Sequence, residues 1–211
     1  MTKTTSGGTI VTNFEFPQEV AEKPKTTVCD AVTIPEVFGP VECSKIIELG
    51  LAGDVTKGLG TKGGSDKKVL GRNCSISWVS RAGSTEWVFD RLDKVLTVIG
   101  GKVYGFSLSP SHTFQFTIYK KFQFYNWHFD NGAAGDVRKV AMVINLCKPN
   151  SYLGGSLKIK AHEWHEKKKA RAQGSATLFP CYLLHKACPV WWGTRYSLVV
   201  WATGPNNGGL K

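Results

Sequence analysis

Trp127-His128-Phe129-Asp130 sets an imidazole and a carboxylate two residues apart. In an extended strand, residues two apart project to the same side. His128 and Asp130 would therefore present their side chains to one point. By itself H-x-D is a weak signal, because the tripeptide is common by chance. A second imidazole follows in Leu183-Leu184-His185-Lys186. Two histidines and one carboxylate on one face of a metal suit Fe(II) and leave the opposite coordination positions open. A chelating keto acid and O2 can take those positions.

A keto acid with a second carboxylate needs an anchor at its far end. Arg195 stands in Gly193-Thr194-Arg195-Tyr196-Ser197-Leu198. A guanidinium is permanently charged and grips a carboxylate through two parallel hydrogen bonds. Ser197, two residues along a strand, points to the same side and adds a hydroxyl. Taken singly, His185 reads as a core histidine and Arg195 as half of a structural ion pair. In this order, with His128 and Asp130, they point to an iron site with a co-substrate anchor.

Other patterns fall away. His162-Glu163-Trp164-His165 has its histidines three apart, whereas the zinc protease motif needs four on a helix, so it reads as a surface turn. The glycine- and lysine-rich stretch Gly58 to Lys68 lacks the ending and the strand–helix frame of a phosphate-binding loop, and reads as a surface loop. Cys181 and Cys188 flank His185, but no C-x-x-C occurs and the usual structural zinc spacing is missing. Lys167-Lys168-Lys169-Ala170-Arg171 reads as a solvated loop that could guide an acidic substrate. Trp127, Trp191, Trp192 and Trp201 read as core or pocket lining rather than stacking platforms.

The elements that must position these residues follow from periodicity. A short helix is expected from Val41 to Leu49, ended by Gly50. A strand is expected from Asn73 to Ser80. A second helix is expected from about Thr85 to Val98, capped by Ser84 and stopped by Gly100-Gly101. Val88, Leu92, Val95, Leu96 and Ile99 form its apolar stripe. From Thr113 the pattern becomes strands. Thr113 to Tyr119 has Phe114, Phe116 and Ile118 on one face and Gln115, Thr117 and Tyr119 on the other. That pattern suits a wall between a packed core and a wet pocket. Lys139 to Cys147, Leu157 to Ala161, Ala176 to Leu184 and Arg195 to Ala202 are further strands. Helices first, then a run of strands, indicate a mainly β fold, a jelly-roll or barrel-like sheet pair with supporting helices.

At 211 residues the chain is expected to form one domain, 28–211, behind an extended or flexible arm, 1–27. No apolar run approaches the roughly 20 residues of a membrane span. The first residues lack the apolar core of a secretion signal, so a cytoplasmic location and reduced thiols are expected for the six cysteines. The formal net charge of +11 points to acidic partners, either nucleic acid or peptide.

The stretch from Tyr119 through Asp130, then Gly154-Gly155-Ser156-Leu157, then Leu178-Phe179-Pro180 to His185, then Gly193 to Trp201, resembles the prolyl 4-hydroxylase-like branch of the 2-oxoglutarate- and Fe(II)-dependent dioxygenases. The resemblance spans about residues 70–205. It implies a double-stranded β-helix, the cupin-like jelly roll. It implies splitting of 2-oxoglutarate to succinate and CO2, coupled to hydroxylation of an unactivated C–H bond, with ascorbate as an accessory reductant. By position, His128, Asp130 and His185 would hold iron. Arg195, Tyr119 and Ser197 would bind 2-oxoglutarate, and Tyr125 and Trp201 would line the substrate pocket. Asp130 matters for reaction type, since halogenating relatives carry a small residue there. Leu157 departs from the threonine of many prolyl hydroxylases. The resemblance implies a protein or peptide substrate, proline-rich or acidic. A nucleic-acid demethylase using the same iron chemistry is the alternative, although such relatives carry a second arginine where this chain has Trp201. A binding module without metal is a third reading, against which all three ligands are present. In the resembling hydroxylases a flexible loop before an Arg-x-x-Ser stretch folds over the peptide. Here Arg72-Asn73-Cys74-Ser75 supplies that stretch, and residues 55–70 would form the lid.

Overall fold

A computed structural model describes residues 3–5, 8–10, 15, 30–62, 65–131, 138–161 and 169–205, without the side chains of 3–5, 8–10, 59–62 and 65–70. In chain order the strands are β1 (Lys3–Thr5), β2 (Gly8–Ile10), β3 (Val32–Ile34), β4 (Thr56–Lys62), β5 (Ser65–Ser80), β6 (Thr113–Tyr119), β7 (Phe124–His128) and β8 (Arg138–Asn145). They continue with β9 (Tyr152–Gly154), β10 (Leu157–Ile159), β11 (Ala176–Pro180), β12 (His185–Ala187), β13 (Val190–Gly193) and β14 (Arg195–Thr203). Among the described residues two α-helices, α1 (Pro40–Ala52) and α2 (Glu86–Leu96), precede most of them. No described helix is long and apolar enough to cross a membrane.

The main sheet is antiparallel and curls on itself, in the order β10-β12-β7-β5-β6-β14-β8-β11-β3. The turn is made by β5. Its Arg72 and Asn73 pair with β7, while Ser75 to Ser80 pair with β6. This is the expected mainly β jelly roll with supporting helices. The central strands are buried on both faces, each face for a different purpose. Phe114, Phe116 and Ile118 of β6, Val140, Met142 and Ile144 of β8, and Leu198 and Val200 of β14 pack in one cluster with Val88, Leu92 and Val95 of α2. Intervening residues, Tyr119 and Gln115 of β6, Val143 of β8, and Arg195, Ser197, Val199 and Trp201 of β14, face a cavity between the two halves of the sheet. Alternation with period two thus divides a core side from a pocket side.

The helices dock closely. A Cβ at Gly50 of α1 would overlap the Phe116 ring, so a side chain there would push α1 off β6. Between the helices, Arg91 Nη1 donates to Glu42 Oε2 at 2.6 Å, and the same carboxylate accepts the Gly39 N–H at 2.8 Å. Both side chains of this pair are buried.

Several expectations require correction. Gly100-Gly101 does not stop the second helix: a π-helical turn, Thr97–Val103, continues it, with Tyr104 N–H donating to Ile99 O. Glycine weakens a helix without forbidding it. Gly100 is needed where the turn meets Leu108, and Gly105, at φ +73°, follows it. The N-cap is Thr85 rather than Ser84, and its hydroxyl accepts from Ala82 N–H and donates to Ser80 O instead of capping the helix. The segment read as an irregular glycine-rich loop is the β4–β5 hairpin, with register shifts at Gly60. Backbone pairing needs no side chain, so glycines do not prevent it. Gly63 and Gly64 lie outside the described residues, as does His162 to Lys168. Within the arm, Lys3–Thr5 and Gly8–Ile10 pair as an antiparallel ribbon. Arg171 is not part of a solvated loop. Its guanidinium donates to the carbonyls of Gly154, Pro149 and Tyr152, pinning the β9 region. Trp127, Trp191 and Trp192 are exposed rather than core, because their strands are covered on one face only. Cys43, Cys74, Cys147 and Cys188 are free thiols, as expected.

Candidate active site

His128 ends β7 and His185 begins β12, and the two strands pair so that these residues are direct partners. Asp130 follows β7 by two residues, its backbone N–H donating to Cys181 O at 2.9 Å. The outcome is a compact triad. Asp130 Oδ1 lies 3.5 Å from His128 Nε2, and Oδ2 lies 3.3 Å from His185 Nε2. One ligand atom from each residue falls within 4.8 Å of the others, a set able to hold a metal ion.

The tautomers also fit metal binding. His128 Nδ1 sits 2.7 Å from Asn126 O, and His185 Nδ1 sits 3.0 Å from Leu183 O. A carbonyl only accepts, so in each neutral ring Nδ1 carries the proton. Nε2, facing Asp130, keeps its lone pair for a metal. Burial, with His185 beside it, pushes His128 down to about 4, which keeps the ring neutral near pH 7. Burial alone would raise the Asp130 carboxyl. The two imidazoles beside it, His185 first, more than offset that when they carry protons, and hold the group below its ordinary value.

Packing fixes these rings. Tyr125 stacks on His128 with centroids 3.5 Å apart, and Phe179 lies 4.6 Å from His185, centroid to centroid. Arg195 opens β14 directly opposite Tyr119 of β6. Its Cζ is 5.5 Å from the Tyr119 ring, and Arg195, Ser197 and Tyr119 are all buried. Burial raises the Tyr119 phenol, so it stays protonated as a donor.

The triad, Arg195, Tyr119, Ser197, Tyr125 and Trp201 all line one cavity of about 340 Å³. Every residue assigned from the sequence to iron, 2-oxoglutarate or the substrate pocket is brought to this one place. Leu157 lines it too, with an apolar side chain where a threonine hydroxyl would otherwise stand. Sequence reasoning missed Arg72, Trp78, Phe129 and Arg138 in the walls. Gln115 was legible as the pocket-facing alternate of β6. Arg72 was noticed only as part of a motif bounding a loop. Its position emerges from the register of β5, which sets it opposite Tyr125.

Comparison with known proteins agrees with this geometry. Residues 114–203 match the 2OG-Fe(II) oxygenase superfamily, a range that contains the triad and Arg195. A PKHD-type hydroxylase of Idiomarina loihiensis is 27% identical over 161 residues, covering 74% of this chain and 70% of the relative. A PKHD-type hydroxylase of a Synechococcus strain is 30% identical over 95 residues, 43% of this chain and 42% of its own length. Among solved structures, a Pseudomonas putida prolyl-4-hydroxylase superposes with TM-score 0.61 at 16% identity, covering 83% of this chain and 93% of that one. The viral collagen prolyl hydroxylase of Paramecium bursaria Chlorella virus-1, a 2OG complex, gives TM-score 0.61 at 20% identity, covering 84% and 99%. A Trichoplax adhaerens prolyl hydroxylase, in complex with a hypoxia inducible factor peptide fragment, gives 0.64 at 17% identity, covering 83% and 84%. At these identities the structural likeness speaks for the jelly-roll fold.

Proposed function

We propose that this chain, which belongs to the 2OG-Fe(II) oxygenase superfamily and is a dioxygenase using Fe(II), 2-oxoglutarate and O2, hydroxylates proline in a protein or peptide. In this reading His128, Asp130 and His185 hold the iron. The observation that carries it is the convergence of two imidazole Nε2 atoms and one carboxylate at the wall of a cavity that also contains Arg195. The relatives named as prolyl hydroxylases, one of them with a bound peptide, support proline and peptide as the substrate class.

Bound iron supplies the oxygen-activating and C–H-oxidising chemistry. The remaining work belongs to side chains of this chain. Arg195 pairs with the distal carboxylate of 2-oxoglutarate through charge-assisted hydrogen bonds, and Ser197 and Tyr119 donate beside it. Leu157 closes that end with apolar surface, which strengthens the ion pair by excluding water. Tyr125 and Trp201 flank the triad and shape the space left for the substrate. Asn126 O and Leu183 O hold the imidazoles in the metal-binding tautomer. The domain spans 28–211 in this reading, with 1–27 as an appended arm.

The test measures succinate formed from 2-oxoglutarate with Fe(II), alongside mass spectrometry of the acceptor. Acceptors are proline-containing peptides, free amino acids and oligonucleotides. Hydroxyproline formed in step with succinate supports the reading. Oxidation of the oligonucleotides alone would replace it with nucleic-acid chemistry.

A further inference from the structure

Three buried side-chain polar atoms of the described residues have no hydrogen-bond partner: Arg72 Nη2, Ser111 Oγ and Trp201 Nε1. Two of the three belong to residues in the wall of the triad's cavity, and both of those are donors. Such donors are costly to leave unmet, and a ligand that brings acceptors relieves the cost.

Arg72 is the more telling of the two, because it also carries a charge. Its Nε donates to Cys74 Sγ at 3.0 Å, and its Cζ stands 4.6 Å from the centroid of the Tyr125 ring. Tyr125 in turn stacks on His128. Arg72 therefore lies one ring away from the iron site. No described carboxylate forms an ion pair with it.

Charge balance narrows what the missing partner is. In the function proposed above, the distal carboxylate of 2-oxoglutarate matches Arg195. The two charges of Fe(II) are matched by Asp130 and by the other carboxylate of 2-oxoglutarate. The charge of Arg72 is left over. A peptide carbonyl would satisfy the donor but leave the charge uncompensated in a poorly solvated place. A carboxylate does both.

We propose that Arg72 anchors a carboxylate of the primary substrate, close to the carbon that is hydroxylated. The substrate class is thereby an acid. The carboxylate is either the side chain of an aspartate or glutamate next to the reacting residue in a peptide, or the main-chain carboxylate of an amino acid or chain end. Cys74 steers the guanidinium. The inference rests on the oxygenase reading of the cavity, not on proline as the target.

The test is equilibrium binding to the protein loaded with Fe(II) and 2-oxoglutarate without oxygen, so that nothing turns over. The probes are matched pairs: capped peptides with Pro-Glu against Pro-Gln, and L-proline against L-prolinamide. In at least one pair the carboxylate member should bind the wild type about tenfold or more tightly than its amide. The pair that discriminates identifies the source of the carboxylate. Arg72→Met should erase the preference, Arg72→Lys should keep part of it, and 2-oxoglutarate affinity should stay constant in both. No preference for any carboxylate probe, or a preference that survives Arg72→Met, overturns the proposal. Admitting oxygen separates the two readings. A carboxylate preference without hydroxyproline sinks the prolyl assignment alone, and hydroxyproline without that preference sinks the role of Arg72 alone.

Discussion

Arg91 in the helical layer and Arg195 in the cavity are buried to a similar degree, 7% and 4% exposed, yet the chain treats them differently. Arg91 has its counter-charge inside the fold, Glu42, which also caps the start of α1. Arg195 has no ion pair with any described carboxylate, and Arg72 in the same cavity has none either. A buried cation paired within the chain is part of folding. A buried cation left without one is tolerated where a ligand completes it. The contrast separates the part of this molecule that keeps its shape from the part that binds.

The largest expected effect lies on the binding side. Asp130→Ala or His185→Ala should abolish Fe(II) binding and turnover while leaving the metal-free protein folded, as judged by its melting temperature. An Ala variant with normal iron affinity would remove the triad from the site.

On the structural side the sign reverses. Glu42→Gln strands Arg91 between the helices and should cost about 3–5 kcal/mol of stability, the usual penalty for breaking a buried pair. Turnover per folded molecule should stay near wild type. Denaturant melts with activity measured at the same points would show whether the two regions are separable in this way.

A smaller effect is expected from Arg195→Ala. It loses charge-assisted hydrogen bonding worth about 1.5–3 kcal/mol each, so KM for 2-oxoglutarate should rise at least tenfold. Arg195→Lys should raise it less. An unchanged KM would mean that the anchor is elsewhere.

The smallest effect is on pH dependence. His128 is held at about 4, below its ordinary 6.5, so between those values the unfolded chain binds more protons than the fold. Stability of the metal-free protein should therefore be full above pH 6.5 and fall as pH drops toward 4. Asp130, depressed below 3.8, acts only at lower pH, so the windows do not overlap. Melting curves of His128→Asn should be flatter across pH 4 to 6.5, and a slope equal to wild type would argue that another group titrates there.

Much of the site was legible because it follows strand alternation. His128 and Asp130, and Arg195 with Ser197 and Trp201, are spaced so that one strand face carries them all, and the structure turns that face inward. The same alternation exposed the two-faced character of β6. What resisted was set by tertiary partners rather than by local pattern. Trp127 follows the same alternation as its neighbours but sits on a sheet face that nothing described covers, among Lys160 and Lys186. Arg171 looked like the end of a lysine run, yet three carbonyls distant in sequence claim it. Arg72 was hidden in a stretch whose glycines suggested a loop, and only the register with β7 sets it beside Tyr125.

In the proposed site Arg195 and Arg72 serve different ligands. The direct measurement is 2-oxoglutarate binding to the Fe(II)-loaded wild type, Arg195→Ala and Arg72→Met, side by side without oxygen. Affinity should fall at least tenfold in Arg195→Ala and match wild type in Arg72→Met. Equal losses in both variants, or a loss confined to Arg72→Met, would contradict it.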